Sequence, residues 1–553
     1  MIFLLCSLAQ ANPLLTAAQI EMSRALNELS LPDQPKPYWI GMELSEGRYH
    51  YATAKNGALF SYAEGDVQSA RCEVRVGSIE FDNGNFNASG AQGIISRSMP
   101  TEDHELALRQ ELWLGLDKAY KSAVEAYSEK EAAFEGRDYS KEVELLPAKT
   151  QTTEFYEPIL LDDWTAAFAT QLSAAFQEFS FLEDHQVALY SEEAAEHYIN
   201  TEGFSTSQPS SEILIRVEAT ARAADGSLNR TLRSWVISDQ ESLAPIEEYQ
   251  SQLKDMALWL KTLEDAPIEE DYLGPVIFEE QASVELFRQL LQSQLSATPP
   301  PAEMPDFNGE IPVIIPMSRI GRRLLPDGWS VVDDAPAHPD KVGFYAFDDQ
   351  GVPPQRVALI EDGVVNNLLM SRIPRKGFSE STGHGRGLGR DPLYAFPSVV
   401  EVSPSRHVST AKMHRKALKM ASQAGLDYVL VVKHIEPLSQ TDMFEIAFSG
   451  SEQLSGLTLP TEIYRLYADG HAEPVRGASF VGVDRKVLRD IILAGEQSEF
   501  IGLKDDSSGR YGIGSISGMK VSWSAPSVLI GEMELRGQGG QEQRLVPRTE
   551  AQE

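Results

Sequence analysis

The segment from Tyr272 to Leu295, YLGPVIFEEQASVELFRQLLQSQL, constrains the fold of this chain more than any other. It begins as an apolar strand and then changes period. After a helix start that bears Ala282 and Ser283, the apolar residues Val284, Leu286, Phe287, Leu290, Leu291 and Leu295 recur at the spacing of an amphipathic helix. The polar positions of that helix include Arg288, Gln289 and Ser293, and the helix contains no histidine. Such a strand-helix unit therefore supplies an apolar stripe for a core but no imidazole for a metal.

At 553 residues and 42% hydrophobic, the chain is long enough for more than one core, and two to four domains are expected. A formal net charge of −34 sets it against the phosphate backbone and against anionic lipid. No nucleic-acid partner and no charge-driven membrane binding are expected, and the excess acid reads first as a solvated surface. The only cysteines are Cys6 and Cys72, too few for a cysteine-rich zinc site. The start, MIFLLCSLAQANP, has an apolar core from Ile2 to Leu8 and a small-x-small site at Ala9-Gln10-Ala11, so residues 1–11 resemble a signal peptide that lacks the usual basic start. That pattern sets an expectation of export to the periplasm; a buried strand in a cytoplasmic protein is the alternative. No other apolar run approaches the roughly 20 residues of a membrane-spanning helix.

Period-two runs between Tyr38 and Phe86 (YWIGMEL, RYHYATA, ALFSYAE, ARCEVRVGSIEF) predict a meander with turns at Glu46-Gly47, Lys55-Asn56-Gly57 and Glu64-Gly65-Asp66. Helices are predicted over Leu14–Leu31, Glu102–Phe134, Trp164–Phe179 and Pro245–Leu263, and a hairpin around Asp225-Gly226. Beyond Pro299-Pro300-Pro301 the pattern is mostly strand: IPVIIP, GWSVVDD, VGFYAFD, RVALIEDG, VVNNLLMS, YVLVVKH, MFEIAFS, GLTLP and EIYRLYA. Helices are expected at Lys412–Ala424 and Val483–Ala494. The chain reads as α+β: an N-terminal antiparallel sheet with helices over 12–244, a connecting helix over 245–272, a mostly antiparallel, barrel-like C-terminal domain over 273–540 with a few helices, and a polar tail over 541–553.

From about Gly274 to Val528 the sequence resembles the TldD/PmbA family of bacterial metallopeptidase-like proteins. The blocks that carry this occur in order: GPVIFEEQASVELFRQLL, WSVVDD at Trp329–Asp334, FYAFDDQGVPPQRVALIEDGVVNNLLMSR at Phe344–Arg372, STGHGRG at Ser381–Gly387, and RGASFVGVDRKVLRDIILAG. Active members hold one zinc ion with two histidines of an HExxxH helix and a cysteine near the C-terminus, and the glutamate is the general base. By the resemblance these positions fall on Arg288, Gln289 and Ser293, with the cysteine around Tyr511–Ser517, where there is none. Arginine cannot be deprotonated to become a ligand, glutamine has no carboxylate to activate water, and a lone serine hydroxyl is a poor zinc ligand. No zinc is therefore expected in this chain, only in an active partner. The resemblance implies a peptide-binding subunit that pairs with a related zinc-binding subunit or with itself. A stand-alone exported binding or scaffold protein is the alternative.

The loop GHGRGLGR fails the spacings of nucleotide-binding motifs. Thr382, Gly383, His384, Gly385 and Arg386 remain as substrate-binding candidates, the glycines by letting backbone approach closely and Arg386 by pairing with a carboxylate, its own chain's acids being the simpler partner. Asp333-Asp334 and Asp348-Asp349 are expected in turns and caps; with His384 and Arg386 the latter pair forms the third reading, a relocated catalytic site.

Overall fold

Two strands far longer than the turn signals suggest dominate the first half. β1 (Pro37–Lys55) and β2 (Ala58–Ser78) pair antiparallel along almost their whole length, joined only at Asn56-Gly57. The expected turns at Glu46-Gly47 and Glu64-Gly65-Asp66 are interior strand positions: Gly47 lies opposite Val67, and Gly65 opposite Tyr49. Gly47 marks a close approach instead. A Cβ there would sit 2.4 Å from the carbonyl oxygen of Glu193 on the neighbouring strand, so glycine is retained for packing. The computed structural model describes residues 12–537 apart from 91, 103, 138–142, 159, 161–162, 300, 304–319, 388–392, 438–455 and 506–517.

β3 (Phe81–Asp82), β4 (Ile94–Ser98), β5 (Leu182–Asn200), β6 (Ser205–Pro209), β7 (Glu212–Arg222) and β8 (Leu228–Ile237) complete an eight-stranded sheet of order β3-β2-β1-β5-β7-β8, with β4 on β2 and β6 on β5. Helices α1 (Pro13–Glu28) and α2 (Glu105–Phe134) bury Leu14, Leu108, Leu112 and Leu116 against Ile40, Met42, Leu44 and Val74. α3 (Thr165–Ser173) and α4 (Ile246–Thr262) bury Leu172, Leu253 and Met256 against Leu189, Ile215 and Val217. α4, read from sequence as a connector, thus packs on the first sheet.

The second half holds β9 (Tyr272–Phe278), α5 (Glu280–Leu295), β10 (Trp329–Asp333), β11 (Val357–Glu361), β12 (Val364–Val365), β13 (Gly385–Arg386), β14 (Tyr394–Ala395), β15 (Val399–Pro404), α6 (Thr410–Gln423), β16 (Tyr428–Ile435), β17 (Pro460–Tyr467), β18 (Ala472–Val475), β19 (Ala478–Val481), β20 (Ile491–Gln497), β21 (Ile501–Asp505), β22 (Met519–Ser524) and β23 (Pro526–Gly537). They form a sheet of order β12-β11-β10-β15-β22-β21 and a second of order β18-β17-β16-β9-β23-β19, with β20 on β23, and the C-terminal region includes a curled half-barrel sheet. The pairings are mostly antiparallel; β9–β16 and β15–β22 run parallel. The apolar residues of α5 are buried in one core with residues of both sheets, at about 1.5–3 kcal/mol for each large side chain. α6 covers the far face of β9 and β16 through Met413 and Ala417.

Some expected elements take another form. Val483–Ala494 is a short 3-10 turn (Arg485–Asp490) followed by strand β20, because Ile491 and Leu493 find ladder partners on β23. VGFYAFD is loop, folded round Asp348, and of VVNNLLMS only Val364–Val365 is strand. Of GLTLP only Pro460 is strand; IPVIIP and MFEIAFS lie outside the described residues. Among those residues no helix is long and apolar enough to cross a membrane.

The halves meet through buried polar bonds. Arg372, 1% exposed, donates from both terminal nitrogens to Glu202 at 2.7 and 2.9 Å and from Nε to the Leu146 carbonyl at 2.8 Å. Trp39 also donates to Glu202, at 3.0 Å. Gln208 on β6 holds Ala346, Phe347 and the Phe347 carbonyl at 2.8–3.0 Å. Arg372→Ala strands Glu202 and opens a gap at the seam; thermal or urea unfolding should show a loss of roughly 3 kcal/mol, whereas a surface change such as Lys254→Ala should cost almost nothing.

Candidate functional site

On α5 the polar side chains bond to each other and to the segment above them. Arg288 is 1% exposed and donates from Nε and Nη2 to Glu285 Oε2 at 3.0 and 2.8 Å. Gln289 donates to the same Glu285 oxygen at 2.9 Å and to Thr458 Oγ1 at 3.0 Å, while its carbonyl accepts from the Thr458 amide at 3.0 Å. Ser293 accepts from Gln294 at 3.0 Å. Three side chains of one helix turn are thus bonded to one another and tied to Thr458, with Glu285 Oε1 left without a hydrogen-bond partner. Residues 511–517, where the resemblance implies a cysteine position, lie outside the described residues.

The 382–386 loop is packed from behind by its own chain. Gly383 has φ +72°, and a Cβ there would lie 2.0 Å from the Pro353 carbonyl oxygen, so the close approach expected of the glycines is made to Pro353-Pro354. His384, expected on a loop surface, is fully buried: Nδ1 contacts Thr382 Oγ1 and the Thr382 carbonyl at 2.9 Å, and Nε2 lies 3.4 Å from Asp333. Asp348 is consumed by the turn it builds, accepting from the amides of Gln350, Val352 and Gly385 at 2.7–3.0 Å. Arg386 makes no ion pair among the described residues. It donates to the carbonyls of Pro397 and Lys520 at 2.7 and 2.9 Å and lies over the Tyr345 ring. Of the five candidates, Arg386 borders open space while His384 is sealed off from it; Arg390 lies outside the described residues.

That open space is a cleft of about 510 Å³ between the halves, lined by β1, β5 and β6 on one side and by the 344–349 loop, β13, β21 and β22 on the other. Tyr49, Tyr190 and Tyr345 supply its aromatic surface; Glu43, Glu192, Glu196, Glu212 and Asp349 its acids; Arg386, Lys504 and Lys520 its bases. Burial, with a smaller contribution from Glu196, pushes the Asp349 carboxyl up to about 7, and burial with Asp349 behind it pushes Glu43 well above the carboxylate range. Burial also pushes Asp348 up to about 6 against the pull of its three amides. A second, open groove of about 680 Å³ lies beside the start of α5, where His414 Nε2 meets Glu279 at 2.7 Å. Among the described residues no three His, Cys, Asp or Glu side chains are grouped to hold a metal ion.

Residues 271–537 match the family model described as the PmbA/TldA metallopeptidase C-terminal domain. This half of the chain is thus a C-terminal domain of the TldD/PmbA family. Among sequence relatives, a metalloprotease from Synechocystis is 26% identical over 233 residues, 42% of this chain and 45% of that one, and a metalloprotease from Archaeoglobus fulgidus is 33% identical over 73 residues, 13% of this chain and 17% of that one. The matched regions thus span less than half the length of these curated relatives. Solved structures extend the likeness in fold to nearly the whole chain. TldE from Thermococcus kodakarensis superposes with a TM-score of 0.58 at 12% identity, over 95% of this chain and all of that one. A proposed modulator of a DNA gyrase from Thermotoga maritima gives 0.59 at 16%, over 90% and 96%.

The TldD/PmbA blocks of the sequence pointed to the second half and missed the opposite wall of the cleft. β5 was not assigned, although ALYSEEAAEHYI alternates in a way that sets Glu192 and Glu196 on one face. A carboxyl whose pKa rises on folding keeps its proton after the unfolded chain has lost it, so from about pH 4 to 7 stability falls as pH rises, and the full cost is present above 7. Asp349→Asn removes that cost. It should raise the melting temperature at about pH 8 and leave it unchanged near pH 4, as followed by thermal denaturation across pH; no shift at either pH would place this carboxyl in water.

Proposed function

We propose that this chain is a non-catalytic subunit of the TldD/PmbA type, which pairs with a related zinc-bearing chain and binds extended peptide as part of an enclosed chamber. The observation that carries this reading is the Glu285–Arg288–Gln289 network on α5. The helix that bears the metal in active relatives holds a buried guanidinium here. At 4 Å and an effective dielectric constant near 20, each pair of unit charges is worth about 4 kcal/mol, so a divalent ion beside Arg288 meets roughly 8 kcal/mol of repulsion before Glu285 offsets part of it. Glu285 is itself engaged by Arg288 and Gln289, and Gln289 is fixed to Thr458 through both ends of its amide. These residues do not fit a zinc ion, and no hydrolytic step is assigned to them. The peptide reading draws support from the cleft, which lies against the strands of the first sheet and carries both polar and aromatic walls.

The test is assembly and metal content together. Purified alone, the chain should hold less than about 0.1 equivalent of zinc by elemental analysis, since a protein zinc site needs three or four ligands. Co-expressed with a relative that retains HExxxH, it should co-purify as a complex whose zinc resides in the other subunit. Stoichiometric zinc in the isolated chain would overturn the reading; a chain that only self-associates, free of metal, would favour the stand-alone binding protein.

A further inference from the structure

The geometry points to a receptor for one protonated amine in the cleft between the halves, built from Glu43 on β1, Glu196 on β5 and Asp349 on the facing loop. This deepens the peptide-binding reading above and rests on it: the amine is that of a bound peptide.

The three carboxyls come from three separate elements and from both halves of the chain, and all three line the same 510 Å³ cavity. On the β1–β5 ladder Glu43 pairs with Tyr198 and Ser45 with Glu196, so the two glutamates lie diagonally on one face. Asp349 closes over them, held by the Gly387 amide at 2.8 Å. Among the described residues none of the three forms an ion pair, although Arg71 stands opposite Glu43 on the β1–β2 ladder and opposes its rise. Lys504 bonds Glu212, Lys520 bonds the carbonyls of Ser210 and Ser211, and Arg386 bonds two carbonyls; none forms an ion pair with these three acids among the described residues. Glu43 Oε2 is enclosed with no hydrogen-bond partner, an acceptor left open inside the fold. Buried acceptors of this kind cost stability unless something donates to them. Glu196 accepts from Ser210 and Asp349 from Gly387, so each has capacity for a further donor.

A cation meets that demand, and its size follows. Because these side chains do not converge closely enough to hold a metal ion, the fit is to a larger group with several N–H donors. An ammonium carries three, and the rings of Tyr49 and Tyr190 on the same wall offer faces to its alkyl stem. Burial and Glu196 raise the proton affinity of both Glu43 and Asp349, Asp349 adds to the rise at Glu43, and Arg71 and Arg386 oppose it.

Fluorescence anisotropy with short labelled peptides on the full chain, together with its zinc-bearing partner where the complex is required, tests this. Four peptides suffice: free or acetylated amino terminus, each with or without one internal lysine. Peptides with an amine should bind about tenfold or more tightly than the acetylated, lysine-free one, and Asp349→Asn or Glu43→Gln should remove that difference. Dependence on the amino terminus alone assigns the α-amine; dependence on the internal lysine alone assigns the side chain. If all four bind equally to the unmodified chain, the amine receptor is wrong and peptide binding stands; if none binds, peptide binding itself fails. The peptide series needs no variant, so a substitution that impairs folding cannot obscure the answer.

Discussion

The cleft exists because the halves are clamped beside it, and the clamp centres on Arg372. A guanidinium is planar and always charged, and here it spans a carboxylate on the first half and a carbonyl just before α3's approach segment at Leu146. Burial alone would drive the Glu202 carboxyl up; the bonds from Arg372 and Trp39 outweigh it and hold Glu202 below the carboxylate range. The pair is therefore an ionised contact at neutral pH. Gln208 adds a fork that reads the backbone of the 346–347 loop, which leads directly into Asp348 and Asp349. The loop that carries Asp349 is thus fixed at its start by the other half and at its turn by Asp348, and its placement over β1 and β5 follows from both.

α5 shows how a core helix is built around polar residues. Its apolar stripe is buried between two sheets, yet Glu285 and Arg288 are buried with it. Two desolvated charges are tolerated because each supplies the other's bonds, and removing either leaves a buried charge alone. Gln289 extends the network to Thr458 and the Glu436 carbonyl, so the helix is tied to the segment that follows β16. Hydrogen bonds thus give Glu285, Arg288 and Gln289 fixed partners within the helix and on Thr458.

How much of this could be read from the residues alone depended on the range of the contacts. The β9–α5 unit was legible because its signal is local: an apolar run, then helical spacing. The hairpin at Asp225-Gly226 follows from turn chemistry. Gly47 and Gly65 misled because glycine has two uses, turning a chain and admitting a neighbour, and only the partner strand tells which applies. Ile491–Gln497 carries residues that suit helix or strand, and pairing with β23 decides it. His384 was placed on a loop correctly, but its burial comes from Asp333 and the 370–382 backbone, residues distant in sequence or on another element. The cleft was invisible for the same reason: Glu43, Glu196 and Asp349 are separated by about 150 residues at each step and meet only when the halves do.

In a chain with a net charge of −34, acids lying near one another on a surface call for no explanation. These three differ in being half-buried together at a seam between domains. Like carboxyls in such a place destabilise the fold, and substitution of any one by an amide would relieve the strain at no cost to packing. Local violations of this kind gather at functional sites, and this one lies beside an open cavity. The clamp at Arg372 and Gln208 supplies the stability that lets the violation persist, and the cavity supplies the room for what resolves it.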